Sequence, residues 1–144
     1  MEMMPVEFQR LILCAQCFNT LAPHVYGSMW GMKQQLLWDR IEAELEFARG
    51  EHAKGNEGRA RVCARRAAGW AVAAYWQQRQ GVEPHLNAYH LLCWFQKLED
   101  VPEDLRRTAA RLTTRVTPAH ELPHAEDPLE DAQAIVQALM KEVG

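Results

Sequence analysis

The segment "VCARRAAGWAVAAYW", residues 62–76, restricts the fold more than any other part of the chain. Its only charged residues are Arg65 and Arg66, and small residues dominate the remainder. A helix that is apolar on nearly all sides belongs in the middle of a helical bundle. Its alanines and Gly69 would let the backbones of neighbouring helices approach closely. The segment is therefore predicted to be the core helix of a bundle.

The flanking segments also repeat at the helical period, and no run alternates at the period of two that is typical of strands. Residues 34–52 are predicted to form an amphipathic surface helix that ends in the turn sequence "KGNEG". Its inward face would consist of Leu37, Ile41, Leu45 and Ala48. After the core helix and "GVEP", Pro84 is placed to open another helix. The residues that share one face of that helix would be Leu86, His90, Cys93 and Trp94.

Two further helices are predicted in the last third of the chain. Asp100 and Glu103 have the spacing of a capping box, and the helix that they start would end around Thr117, before Pro118. Its narrow apolar arc consists of Leu105, Ala109, Leu112 and Val116. In the last helix Asp127 would be the N-cap, followed by Pro128 in the first turn. Its inward residues would be Leu129, Ala132, Ile135, Val136, Leu139 and Val143.

Together these patterns predict an all-α, up-and-down helical bundle of four to five main helices in residues 31–144. Residues 1–30 are predicted to be an N-terminal helical extension and connector. The face of its helix would consist of Phe8, Leu11, Ile12, Ala15 and Phe18, ending near Pro23. The sequence "YGSMWG", residues 26–31, would connect the extension to the bundle.

Length and charge narrow the classes of function. A chain of 144 residues can bury one core without disulfides, and its formal net charge of −3 gives no general attraction to nucleic acid. Any RNA contact must therefore depend on a local basic patch. The uncharged stretch 11–32 contains several polar residues and Pro23, so no membrane-spanning helix is expected. We predict a cytoplasmic protein with reduced thiols.

The pair Cys14 and Cys17 has the spacing of a redox motif or of half a zinc site. Cys63 and Cys93 are single and lie among apolar residues, so four zinc ligands are not evident. A redox pair normally starts a helix after a strand, and no strand is predicted here. These residues are interpreted as small apolar residues within helices, and no metal or cofactor is predicted.

Arginines cluster at the start of the core helix, where Arg61, Arg65 and Arg66 are candidates for binding a phosphate group. Arg61 and Arg65 are one helical turn apart and could contact the same ligand. The structural alternative is that these arginines pair with acids such as Glu57. Both interpretations stay open from the sequence alone.

A second candidate pair is Arg115 and His120, separated by four residues at the end of the penultimate predicted helix. In a chain of this composition, roughly 1.5 matches to an arginine followed by a histidine after four to six intervening residues are expected by chance. The chain has two such pairs, the other being Arg79 with His85. Spacing alone therefore does not indicate catalysis, and only the position in a fold can do so.

That position is suggested by a family resemblance. The segments in question are, in order, "WDRIEAELEFA", "ARVCARRAAGWAVAAYW", "YHLLCWF", "PEDL", "TRVTP" and "LEDAQAIVQALMKEV". In order and spacing they resemble the HEPN family, the higher eukaryote and prokaryote nucleotide-binding domains. The resemblance covers about Trp38 to Val143, and Arg115 and His120 match the place of the arginine–histidine motif that many members carry.

The resemblance implies a helical bundle that pairs as a homodimer. It also implies either a nucleotide- or protein-binding module, such as the partner of a nucleotidyltransferase or an antitoxin, or a metal-independent ribonuclease of toxin or defence systems. In the ribonuclease, Arg115 and His120 of two copies would form the active site. This sequence departs from the motif at Val116, where the family usually has a polar residue, and at Pro118, which places His120 beyond the helix.

Overall fold

The computed structural model describes the backbone of residues 26–119, 121–123 and 125–143, and side chains from residue 33 to residue 142 within those ranges. Five helices and no strand occur in these residues, which confirms the predicted all-α bundle. They are α1 (Tyr26–Ala53), α2 (Glu57–Gln80), α3 (Ala88–Gln96), α4 (Glu103–Thr113) and α5 (Pro128–Val143). The predicted helix around residues 8–18 lies outside the described part of the chain.

The prediction for the start of α1 is wrong. "YGSMWG" is not a connector but the first turns of α1, which begins at Tyr26 rather than near Gln34. The two glycines favour a break, but a helix interior tolerates glycine at a cost of about 1 kcal/mol each. Residue contacts divide the chain into Met1–Leu37 and Trp38–Gly144, and the separate extension over residues 1–30 stays a prediction.

Helices α1 and α2 form an antiparallel hairpin. Its turn is the predicted "KGNEG", in which the backbone N–H of Asn56 donates to the carbonyl of Glu51 at 2.9 Å. Farther from the turn, the Arg66 guanidinium bonds Glu44 at 2.8 Å, and the Arg40 guanidinium lies 4.3 Å from the ring centroid of Trp70. The predicted inward residues Ile41, Leu45 and Ala48 are buried, and Trp38 joins them.

Helix α2 is the central helix, as predicted, because it packs against both α3 and α5. Its fully buried residues are small: Ala64, Ala67, Ala68, Ala71 and Val72. A Cβ atom at Gly69 would lie 2.5 Å from the Cβ atom of Ala88, a distance shorter than real carbon contacts. Glycine at this position therefore permits the close crossing of α2 and α3.

The predicted start of α3 is wrong, and the buried side chains are not the ones that the sequence groups on one face. The helix begins after Asn87, whose side-chain oxygen accepts a hydrogen bond from the backbone N–H of His90 at 2.9 Å. Pro84 lies in the preceding loop, and Leu86 is 42% exposed. The buried side chains are Leu91, Leu92 and Phe95. The sequence did not identify them because the apolar run "LLCWF" fits more than one helical face, and periodicity alone cannot choose between the faces.

Helix α4 departs from its predicted ends. Its N-cap position is Pro102 and no side-chain capping bond is present, because Asp100 forms an ion pair with Arg79 at 2.7 Å instead. The helix ends at Thr113 rather than Thr117, and Val116 is 39% exposed beyond it. Ala109 and Leu112 are buried as predicted.

Helix α5 begins as predicted. The Asp127 carboxylate accepts a hydrogen bond from the backbone N–H of Leu129 at 2.9 Å, the geometry of an N-cap ahead of Pro128. Its buried apolar residues are Ala132, Ile135, Val136 and Leu139, all of them predicted to face inward. No described helix is both long and apolar enough to cross a membrane.

Candidate functional site

A small cavity lies between the first half of α2, the end of α4, the segment that joins α4 to α5, and the start of α5. It is partly open to solvent. Three arginines line it: Arg61, Arg65 and Arg111. The other lining residues are Leu112, Thr114, Leu122 and Pro128. Apart from its open side, the cavity has room for about one water molecule, so a ligand bound by its arginines would lie largely outside it.

The end of α4 shapes this cavity. The hydroxyl groups of Thr113 and Thr114 both donate to the carbonyl of Ala110, at 2.8 and 2.9 Å. Threonine side chains that bond the preceding turn compete with the helical ladder, and Thr114 adopts an extended conformation. The chain therefore leaves α4 at Thr114, which becomes part of the cavity wall.

Arg61 is half-buried, and no described residue forms a hydrogen bond or ion pair with its guanidinium group. The sequence offered Glu57 as a possible partner of this cluster, but the Glu57 carboxylate contacts Nδ1 of His52 at 2.8 Å instead. The five N–H donors of Arg61 therefore have no acceptor from the described chain, and they are open to solvent, because none of its nitrogen atoms is among the buried atoms that lack a partner.

Arg65 lies one turn farther along α2 and is also half-buried. Its Nε donates to the carbonyl of Leu112 at 2.8 Å, a carbonyl near the C-terminal end of α4 that has no partner within the helix. This bond ties α2 to α4 and fixes the orientation of the guanidinium group. One of its five N–H donors is thus occupied, and no other described group accepts from Arg65.

Arg111 differs from the other two because its charge is matched. Its Nε and Nη2 atoms donate to the two carboxylate oxygens of Asp131 at 3.0 and 2.7 Å, and Asp131 is buried. These hydrogen bonds raise the pKa of Arg111 above its ordinary value, more than burial lowers it, and the nearby Glu126 carboxylate acts in the same direction. Arg111 is therefore a fixed cation that links α4 to α5.

The structure brings together two of the three predicted ligand-binding arginines. Arg66 points to another partner, the Glu44 carboxylate on α1, and does not line the cavity. Arg111 and Thr114 were missed as lining residues, because helical periodicity directed Arg111 away from the apolar arc of α4. The available signal was the acid Asp131 in the first turn of α5, which periodicity within one helix cannot connect to an arginine 20 residues away.

Of the second candidate pair, the structure describes Arg115 but not His120. Arg115 is exposed just beyond the end of α4, with no hydrogen bond or ion pair to any described residue. His120 and His124 lie outside the described residues, so the pairing of Arg115 with His120 stays a prediction. The chance match Arg79 is occupied elsewhere, since its guanidinium bonds the hydroxyl of Tyr75 and the carboxylate of Asp100.

The cysteines do not form a recognisable site in the described part of the chain. Cys63 is buried, and burial raises the pKa of its thiol, with the Glu44 carboxylate acting in the same direction. Cys93 is half-buried, and Cys14 and Cys17 lie outside the described residues. Among the residues whose placement is described, no group of three or more histidine, cysteine or acidic residues could hold a metal ion.

Comparisons with protein-family models, with characterised proteins and with solved structures find no match to this chain. The fold and the site therefore define the protein by themselves: an all-α helical bundle with a small, arginine-lined cavity beside its central helix.

Proposed function

We propose that this chain is a HEPN-like, dimeric helical module of the cytoplasm that binds a nucleotide at the open side of the cavity lined by Arg61 and Arg65. The observation that carries the proposal is Arg61, a half-buried residue whose guanidinium group has no acceptor from any described residue. It lies beside a second guanidinium, that of Arg65, whose orientation is fixed by the Leu112 carbonyl.

The chemistry of the two side chains favours a phosphate group as the ligand. Arginine presents several N–H donors in a planar fork that fits phosphate oxygens, and such charge-assisted bonds are stronger than neutral ones. Binding an anion would supply the acceptors that Arg61 lacks. Because the chain as a whole carries a net charge of −3, the attraction would be confined to this basic cavity.

Nucleotide binding can be measured by isothermal titration calorimetry of the purified protein with adenosine 5′-monophosphate, at low ionic strength. We expect saturable binding that is weakened roughly tenfold or more in Arg61→Gln, since bonds to charged groups contribute about 1.5 to 3 kcal/mol. Arg107→Gln is the matched control, because Arg107 is exposed and pairs only with Glu103 on the same helix. Equal affinity in all three proteins, or no heat of binding in any of them, would contradict the proposal.

A second candidate function, the metal-independent ribonuclease, is favoured by Arg115. Its guanidinium is exposed, has no partner among the described residues, and follows directly after the cavity residue Thr114. In this reaction His120 would accept the proton of the ribose 2′-hydroxyl and return one to the leaving oxygen. Arg115 would stabilise the negative charge that develops on the phosphoryl oxygens.

The two functions are separated by incubating the protein with mixed RNA in the presence of a chelator. Cleavage by the wild-type protein that is lost in Arg115→Ala and in His120→Ala, but kept in Arg107→Ala, would establish the ribonuclease. Binding without cleavage would leave the nucleotide-binding module as the function.

The dimer is tested separately by sedimentation equilibrium, where a single species of monomer mass would contradict it. A nucleotidyltransferase or antitoxin partner belongs to the same proposal, and neighbouring genes would reveal one.

A further inference from the structure

We infer that an exposed surface of the α1–α2 hairpin binds a second copy of this chain, with α1 of each copy packed against α2 of the other. The inference rests on the proposed dimer and names the surface that forms it. We call this surface the hairpin face, and it is centred on Phe47 of α1 and Val62 of α2.

Two large apolar side chains of the hairpin face are left in contact with water. Phe47 is 48% exposed and Val62 is 51% exposed. They lie at about the same height on the antiparallel hairpin, because Glu44 bonds Arg66 across it at 2.8 Å. Arg59, one turn before Val62, holds its guanidinium carbon 6.0 Å from the ring centroid of Phe47. Neighbouring apolar residues on a surface mark a site of protein contact more than single ones do.

The surface of α1 beside Phe47 has room for a side chain of another molecule. Ala43 and Gly50 lie one turn before and one turn after Phe47, and both are exposed. No atom lies within 4 Å of a Cβ atom placed at Gly50, so the packing of the described residues does not require a glycine there. Phe47 is therefore a protruding ring between two low points, a shape that suits helix-on-helix packing.

Opposite charges flank the apolar residues of the hairpin face. Glu46, next to Phe47, is an exposed acid on α1, whereas the exposed charges on α2 are Arg59 and Arg66. Glu46 pairs with Arg49, and Arg66 pairs with Glu44, but ion pairs at the surface contribute little to folding. These charges can therefore also serve a partner, and a suitable partner has arginines opposite α1 and an acid opposite α2.

A second copy of the chain has this arrangement of charges. In a dimer with its two-fold axis parallel to the hairpin, α1 of one copy faces α2 of the other at the same height. Phe47 would then face Val62 of the partner subunit. Glu46 would lie at a height between Val62 and Arg66 of the partner subunit, and each contact would occur twice. An unrelated chain of one charge would match only one of the two helices.

The apolar contact is tested by sedimentation velocity of the full-length protein over a range of concentrations. Val62→Asp would bury a charge in the contact, so we expect its dimer dissociation constant to be at least roughly tenfold that of wild type. Phe47→Asp should have the same effect. Val82→Asp is the matched control, because Val82 is 62% exposed in the loop after α2. It should dimerise like wild type, and circular dichroism melting curves would establish that each variant is folded.

The charge contact tests which helices face each other. Glu46→Lys would place a cation near Arg66 of the partner subunit and should raise the dissociation constant at least roughly threefold. Glu83→Lys, in the exposed loop beyond α2, should leave it unchanged. An unchanged dissociation constant in Glu46→Lys would overturn the packing of α1 against α2.

The outcomes separate the hairpin face from the dimer on which it rests. A dimer that persists unchanged in Val62→Asp and Phe47→Asp would overturn the hairpin face while leaving the dimer intact through another surface. A wild-type protein that is monomeric at every concentration would overturn both. Equal weakening by Val82→Asp would also contradict the inference, since any added acid would then have the same effect.

Discussion

In the C-terminal half of α2, from Ala67 onward, the buried side chains are almost all small and contact apolar neighbours. The N-terminal half buries Ala60, Cys63 and Ala64 on one face, but it also carries four arginines within eight residues. Only one of the four, Arg66, forms an ion pair with a described residue. The same helix thus buries small side chains in one half and carries arginines without an ion pair in the other.

This difference separates two kinds of residue. Small apolar residues in the C-terminal half are explained by the close approach of neighbouring helices, so the fold itself accounts for them. Arg61 is not explained in this way, because its guanidinium group contributes neither an ion pair nor a hydrogen bond to the described fold. Residues that the fold does not explain are expected at functional sites, where a ligand supplies the missing interaction.

The largest effect is expected for Asp131→Asn, which tests whether any arginine of the cavity serves the fold. The substitution would leave the Arg111 guanidinium half-buried without its counter-charge, and we expect a loss of about 3 kcal/mol in the free energy of unfolding. Urea denaturation would measure it. Glu103→Gln removes an exposed ion pair with Arg107 and should cost less than about 1 kcal/mol. Similar losses in the two variants would show that burial does not distinguish the pairs.

Gly69→Ala tests the packed half of α2. The added Cβ would meet Ala88 at 2.5 Å and force α2 and α3 apart, so we expect a loss of about 1 to 3 kcal/mol. Gly58→Ala is the control in the same helix, because nothing lies within 4 Å of its added Cβ. It should be neutral or stabilising by up to about 1 kcal/mol, as alanine favours helices. A stabilised Gly69→Ala variant would refute the close crossing.

The smallest effect on stability is expected at the turn between α1 and α2, which precedes the four arginines. The Asn56 side chain donates to the Glu51 carboxylate at 2.7 Å and holds the pKa of Glu51 below its ordinary value, although burial acts in the opposite direction. A lowered pKa stabilises the fold above the ordinary carboxyl pKa of about 4.3, and this contribution is lost as the pH falls through the lowered value. The stability difference between wild type and Asn56→Ala should therefore be larger at pH 7 than at pH 3. Urea midpoints that differ equally at both pH values would contradict this assignment.

Sequence patterns predicted the packing of α2 and the start of α5 well, because buried small residues and N-caps are local signals. The alanines of α2, its close approach at Gly69 and the Asp127 cap of α5 were all predicted from neighbouring residues. Errors arose where two local signals competed. Glycines in "YGSMWG" did not break α1, and two threonines ended α4 before Pro118 could do so.

The candidate site was only half predictable. Arg61 and Arg65 were identified because they lie one turn apart on a single helix, a relation that the sequence contains. The sequence could not predict that Arg65 bonds a backbone carbonyl while Arg61 has no described partner. This difference depends on the position of the Leu112 carbonyl and on the distance of every acid from Arg61. Arg111 joined the cavity through an ion pair between two helices, and such a pairing arises only from tertiary packing.

The most direct test is to measure stability and binding together for one variant, Arg61→Met. Methionine keeps much of the side-chain bulk and removes the unmatched charge, so the free energy of unfolding should stay within about 0.5 kcal/mol of wild type or rise. Binding of adenosine 5′-monophosphate should weaken roughly tenfold or more. A variant that loses more than about 1 kcal/mol of stability but binds the nucleotide as tightly as wild type would show that Arg61 serves the fold and not a ligand.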